Sequence, residues 1–320
     1  MMRAKKIIMS SAGLLLVSIM MGFQNGEKGP RQFQLIALSP DFWKLIAHDA
    51  KLMRVAAGFG FTEGPVWDEK GYLYVSDEVQ NKIYRVYPDG HREDLIALGN
   101  PDGNTFDRQR HLIDCASDLR AVIRVDVAGK YTILANRFEG RRLNTPNDAV
   151  VGPDGALYFT DPTLDLRKGE KQELPFQGVY RLDGKGNFQL LVKDMSQPNG
   201  LAFSPDGKRL YVDDSEQKDI RVFDFSDGRV SHGRIFGKED APDGVPDGMR
   251  VDEAGNLFVT GPLGIWVWNA QGDHLGTIII PEQTANLAWG DSDDRTLYIT
   301  ASTSVYRLQT KTRGFVPYRK

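Results

Sequence analysis

VGPDGALYFTD, residues 151–161, decides the fold. An apolar anchor precedes a tight Asp154-Gly155 turn, and a short strand rich in Leu, Tyr, Phe and Thr follows it. An Asp-Gly pair between apolar runs suits a hairpin, whose turn needs positive φ. The strand is too short and too rich in β-formers to be a buried helix. The same phrase recurs as WDEKGYLYVSD from Trp67, FDRQRHLIDCAS from Phe106 and FSPDGKRLYVDD from Phe203. Two more copies are VDEAGNLFVT from Val251 and WGDSDDRTLYITA from Trp289. A second strand answers each copy: KIYRVY, AVIRVD, GVYRLD, DIRVFDF, GIWVWN and SVYRL. The six anchors stand 38 to 52 residues apart. That period, with several strands per unit, is the signature of propeller blades. The expectation is an all-β, six-bladed β-propeller of four-stranded antiparallel blades around a central channel. A blade cannot bury both faces alone, and closing the ring lets each pack on two neighbours.

The chain has 320 residues, 41% of them hydrophobic and 26% charged, enough for a large core. Its net charge of −3 and lack of a basic stripe offer no electrostatic footprint for nucleic acid. The single cysteine, Cys115, excludes a disulfide framework and a thiolate metal site. Arg3, Lys5 and Lys6 precede an apolar stretch from Ile7 to Phe23 and then polar NGEKGP. We read residues 1–24 as a cleaved export signal, with a retained membrane anchor as the alternative. A periplasmic or secreted protein with no membrane span in its mature form is expected. Residues 25–54 read as a lead-in that closes the ring, and 55–320 as the propeller. The charged insertion LDLRKGEKQELPF, residues 164–176, reads as a loop overhanging one channel mouth.

Four residues before the first five anchors stand Glu63, Asp102, Asn147, Asn199 and Asp247; the sixth blade has Ala285, with Asn286 beside it. Repeat symmetry places all of these at one end of the channel. Gly follows Glu63, Asp102, Asn199 and Asp247, so turn chemistry accounts for part of the pattern. It does not account for the constant offset across blades of unequal length. An oxygen-only set without Cys or His suits a hard cation, Ca²⁺ before Mg²⁺, with Mn²⁺ and Zn²⁺ as further candidates. No G-x-S-x-G elbow, H-E-x-x-H helix or Walker loop is present. The five histidines are scattered, and His274 is the one whose surroundings merit inspection.

FTEGPVW, RLNTPNDAVVGPDGALYFTDP, QPNGLAFSPDGKRLYV, PDGMRVDEAGNLFVT and TLYITASTSVYRL resemble the gluconolactonase/regucalcin-like (senescence marker protein) family of six-bladed propellers. The resemblance covers residues 55 to 310 and implies a calcium-dependent lactonase acting on a small-molecule lactone. It implies Glu63, Asn147, Asn199 and Asp247 as metal ligands, and Asp247 or its rival Asp148 as the base that activates water. Arg142, Asn144, Asn147 and Asp102 are the implied substrate contacts. Two other readings accompany it: a phosphotriester or aryl ester hydrolase at the same metal, and a non-catalytic calcium-bound propeller that binds a sugar or a protein. One stretch departs from the family pattern. Cys115-Ala116-Ser117 stands where a Cys-Glu-His run is common, which leads us to expect a roomier pocket there, poorer in hydrogen-bond partners.

Overall fold

The computed structural model describes residues 31–319, so the export signal expected over 1–24 lies outside the described residues. Six antiparallel sheets form a six-bladed propeller. From the axis outward, the first blade runs Thr62–Asp68, Tyr72–Asp77, Lys82–Val86 and Arg92–Ala97. The second to fourth blades follow the same order, with inner strands Pro101–Phe106, Ala149–Val151 and Pro198–Phe203. The fifth starts at Met249–Val251 and adds Gln34–Ala37 outside His274–Ile279 as a fifth strand. The sixth takes three strands from the C-terminal part of the chain. Its outermost strand is Leu52–Ala57, paired antiparallel with Ser304–Gln309. Ring closure is therefore made by backbone hydrogen bonds between the two ends of the fold.

The repeated phrase has a packing reason. Each anchor is the last or last-but-one residue of an inner strand, and at four of the six blade junctions an aromatic one or two residues into the second strand reaches the anchor of the next blade. Tyr74 meets Phe106 with ring centroids 5.9 Å apart. Tyr158 meets Phe203 at 4.8 Å, and Phe258 meets Trp289 at 5.2 Å, both edge to face. Tyr298 stacks on Trp67 at 5.3 Å and carries the pattern across the closure from the sixth blade to the first. Edge-to-face and offset pairs are the favoured geometries, each contributing about 0.5–1.5 kcal/mol beyond area burial.

The channel is open at one end only. Phe315, Val316, Pro317 and Tyr318 lie at the C-terminal ends of the inner strands and cap a 40 Å³ cavity on the axis. The Tyr318 hydroxyl donates to the Trp67 carbonyl at 3.2 Å, and the Phe315 amide donates to the Val251 carbonyl. Among the described residues no helix is long and apolar enough to cross a membrane.

Phe203 is buried between Tyr158 and Phe225. Phe203→Ala is expected to lower stability by about 3–5 kcal/mol, read as a shifted urea midpoint with an unchanged slope. A loss below about 1 kcal/mol would show that the inter-blade aromatics do not hold the ring.

Candidate functional site

The open mouth is a 160 Å³ cavity lined by Glu63, Glu78, Asp102, Asn147, Leu164, Asp165, Asn199, Ser215, Val245 and Asp247. All five oxygen-bearing residues at the repeated offset reach it. They do so because each stands at or just before the start of an inner strand, and all those starts face the same end of the channel.

Local structure aims each side chain. The Asp that ends the second strand in three blades accepts amide hydrogen bonds from the loop leading into the same blade's inner strand. Asp77 receives Gly60 at 2.9 Å and Phe61 at 3.2 Å, fixing the approach to Glu63. Asp161 receives Asn144 at 2.9 Å ahead of Asn147. Asp214 receives Ser196 at 2.6 Å and Gln197 at 3.1 Å ahead of Asn199. A serine after the second strand then holds the following blade. Ser117 donates to the Pro146 carbonyl at 3.0 Å, and Ser215 to the Pro246 carbonyl at 2.8 Å. Those prolines immediately precede Asn147 and Asp247.

The glycines after these residues are there for close approach more than for turns. A Cβ on Gly64 would lie 2.2 Å from the Asp102 carbonyl oxygen, and one on Gly200 would lie 2.0 Å from that of Asp247. Neighbouring blades meet there backbone to backbone.

The donor set fits a hard divalent cation. One Glu63 oxygen, Oε2, accepts from the Gly64 amide and from Asn286 Nδ2, the latter at 2.9 Å. The other, Oε1, is buried without a hydrogen-bond partner. Asn147 Nδ2 donates to Asp102 at 2.8 Å and Asn199 Nδ2 to Ser215 at 3.1 Å. Each amide oxygen is thereby left available to a cation. Among the described residues no three His, Cys, Asp or Glu side chains are grouped so as to hold a metal by themselves. The set in the mouth instead combines two carboxylates with two amides, all of them oxygen donors.

Electrostatics point the same way. Burial, then the charge of Asp148, pushes Glu63 up to about 8. Burial, then the charges of Asp165, Glu63 and Asp77, pushes Glu78 up to about 9. Asp102 and Asp247 are raised well above the carboxylate range, first by burial and then by neighbouring carboxylates. No Lys, Arg or His lines the mouth cavity. A bound cation would relieve this repulsion.

Three expectations need correction. Asp148 is not at the cavity surface. It is buried beside Ala149, whose amide it accepts at 2.8 Å, with Arg250 Nη1 3.7 Å away. Asn144 does not face the mouth either: it is fully buried, and its Nδ2 donates to the Asp161 and Phe176 carbonyls, both at 3.0 Å. Arg142 sits on the hairpin Arg137–Phe138/Arg141–Arg142, where its amide donates to Glu173 at 2.7 Å, outside the cavity lining. Both residues belong to the scaffold before Asn147, held also by buried Arg120, which donates to the Leu143 and Asn144 carbonyls.

The space beside Ala116 and Ser117 is not left poor in partners. The insertion following Pro162 brings Asp165 into it, with Ser117 Oγ 3.3 Å from Asp165 Oδ2 and 3.5 Å from Asp102 Oδ2. Sequence reasoning missed Glu78, Asp165 and Ser215. Glu78, Ser117 and Ser215 share one repeat position, the residue after the second strand. A hairpin brings that position to the same end as the start of the inner strand, so the offset could have found Glu78 and Ser215. Asp165 has no repeat counterpart. His274 is structural, stacked against Trp266 at 4.4 Å and Trp268 at 4.7 Å, with Nε2 3.0 Å from the Gly276 carbonyl.

Fold and mouth together define a six-bladed propeller with an oxygen-lined polar site at one end of a plugged channel. The chain belongs to the SMP-30/Gluconolactonase/LRE-like family, whose region matches residues 61–303. It is 32% identical to the gluconolactonase of Zymomonas mobilis, over 91% of this chain and 90% of that one. It is 28% identical to a pentonolactonase of Haloferax volcanii, over 75% of this chain and 81% of that one. A solved gluconolactonase from Xanthomonas campestris superposes with a TM-score of 0.81 at 34% identity, covering 86% of this chain and 94% of its own. The calcium-binding protein regucalcin of Agrobacterium tumefaciens shares the fold, with a TM-score of 0.68 at 20% identity, covering 81% and 96%.

Two outcomes follow from this geometry. Burial pushes Asp161 up to about 8 in the folded chain, whereas unfolded Asp ionises near about 4. Its contribution is complete below the lower value and is lost as pH rises toward the upper one. The urea midpoint of Asp161→Asn relative to the parent should therefore climb between pH 5 and pH 8. A constant difference would mean that Asp161 is ionised throughout. Gly200→Ala should lower the melting temperature by several degrees, since Asp247's backbone must move to admit the methyl. An unchanged melting temperature would show that the axis has slack.

Proposed function

We propose that this protein hydrolyses sugar lactones with the help of a divalent cation, Ca²⁺ first among Mg²⁺, Mn²⁺ and Zn²⁺. Glu63, Asn147, Asn199 and Asp247 would hold the cation. The observation that carries this reading is their convergence on one cavity, with Glu63 Oε1 buried and unpartnered. Homology to gluconolactonases and a pentonolactonase supports the lactone as substrate. The basic and then apolar leader supports a periplasmic or secreted location.

When bound, the cation would supply Lewis-acid polarisation of the lactone carbonyl. Water adds to the carbonyl carbon, the ring acyl C–O bond breaks, and the ring oxygen leaves as a hydroxyl, giving an open hydroxy acid. Asp247 is the base that takes the water's proton, since Asp148 lies beneath the cavity against Arg250. Asp148 acts instead as a positioning residue whose charge bears on Glu63 and Asp247. Ser215 is not set up as a nucleophile, because its proton is committed to the Pro246 carbonyl at 2.8 Å. Asp102 and Asn147, joined at 2.8 Å, form a polar wall suited to substrate hydroxyls. Leu164 and Val245 give the rim an apolar edge.

Acid release from aldonolactones should vanish after chelation and return with added Ca²⁺. Asp247→Asn should cost about 10²–10⁴ in turnover, with metal affinity, measured by calorimetry, falling far less. Asp148→Asn should cost less than Asp247→Asn. Absence of lactone turnover with every cation, alongside hydrolysis of a fluorophosphate or aryl ester, would replace the reading with the rival hydrolase. Turnover indifferent to chelation would remove the metal from it.

A further inference from the structure

Glu78 and Asp165 have no part in the reaction just described, yet both line its cavity. They come from different places. Glu78 follows the second strand of the first blade, and Asp165 belongs to the insertion of the third. That insertion is pinned at several points, so Asp165 is held in place. Thr163 accepts from Gln197 Nε2 at 3.1 Å, and its amide donates to Gln177 at 2.8 Å. Arg167 Nε donates to Asp118 at 2.6 Å, tying the insertion to the second blade. Leu174 is buried in the core between the second and third blades. Asp165 Oδ2 then lies 3.3 Å from Ser117 Oγ, at the position where the family pattern has an imidazole and this chain does not.

The charge balance is one-sided. A divalent cation held by Glu63 and Asp247 would offset those two carboxylates and favour the ionised form of the acids around it, so that Asp102, Glu78 and Asp165, which burial raises in its absence, would face the same 160 Å³ as carboxylates. Neither Arg167 nor Arg250 lines the mouth to offset them. Arg167 is exposed and paired with Asp118, and Arg250 lies deeper, lining the axial cavity. An anionic substituent entering the mouth meets like charge, whereas a hydroxyl meets hydrogen-bond acceptors.

Building on the lactonase reading, we propose that Glu78 and Asp165 form a charge filter that admits lactones bearing hydroxyl or ammonium groups and rejects those bearing carboxylate or phosphate. The insertion that follows Pro162 supplies half of this filter. It brings a carboxylate from the third blade to the side of the mouth where Ala116 and Ser117 of the second blade stand.

The test separates this filter from the activity on which it rests. Lactam analogues share the ring and substituents of the lactones but resist hydrolysis. Calorimetric titration of the Ca²⁺-loaded protein with a neutral polyhydroxylated lactam, an amino-substituted one and a carboxylate-bearing one reads discrimination directly. The parent should bind the carboxylate form at least about tenfold more weakly than the neutral form, and the amino form at least as tightly as the neutral one. Glu78→Gln and Asp165→Asn should each narrow the neutral-to-anionic ratio about tenfold. Glu78→Asp and Asp165→Glu, which keep the charge, should preserve it, an outcome that a merely structural role would not produce. Equal binding of neutral and anionic lactams by the parent, or a ratio that the neutral variants leave unmoved, overturns the filter. Discrimination among lactams without hydrolysis of any lactone upholds the filter and overturns the lactonase reading.

Discussion

Everything at the mouth depends on how closely six inner strands approach one axis. Where Gly64 faces the Asp102 carbonyl and Gly200 faces that of Asp247, no methyl group fits. This contact sets the diameter of the ring at the level of the polar site. It also forces the side chains of the preceding residues, Glu63 and Asn199, toward a common centre. A wider ring would tolerate alanine and would leave those oxygens too far apart to act together.

Two kinds of force hold the strands at that distance. On the flanks, aromatic pairs such as Tyr158 with Phe203 and Tyr298 with Trp67 link four of the six pairs of neighbouring blades without directional demands. At the mouth the contacts are polar and specific. Asp77, Asp161 and Asp214 accept loop amides within their own blades, while Ser117 and Ser215 reach across to the next. The first set stabilises the ring as a whole, and the second decides where individual oxygens point. The Cys115-Ala116-Ser117 stretch changes the wall of the mouth while Ala116 stays fully buried in the sheet.

The C-terminal segment gives the channel a direction. With Tyr318 bonded to Trp67 and packed edge-on to Phe106, the far end is filled, and the carboxylate-lined end is the one that opens to solvent. The carboxylates there are raised by burial and by one another, a state that a cation and a polar ligand would both relieve.

The architecture and the oxygen residues at the starts of the inner strands were legible in the chain, because each is a local pattern repeated from blade to blade. Turn, alternation and offset survive in sequence, and repetition makes a weak local signal strong. Glu78 and Ser215 were legible in principle, one step past the second strand, since a hairpin returns that residue to the same mouth. Asn144 and Arg142 misled because proximity along the chain to Asn147 is not proximity to the axis. Asn144 turns into the blade to satisfy the Asp161 and Phe176 carbonyls. Asp148, adjacent to Asn147, lies below the cavity, where it accepts the Ala149 amide and faces Arg250. Asp165 could be placed only by the folded chain, because an insertion has no repeat to set its register. Its position rests on contacts with Ser117, with Thr145 and, through Arg167, with Asp118, some 20 to 49 residues away in sequence. Sequence alone thus determined which residues belong to the ring. Tertiary structure decided which of them face the mouth, because that depends on contacts between blades that no local pattern encodes.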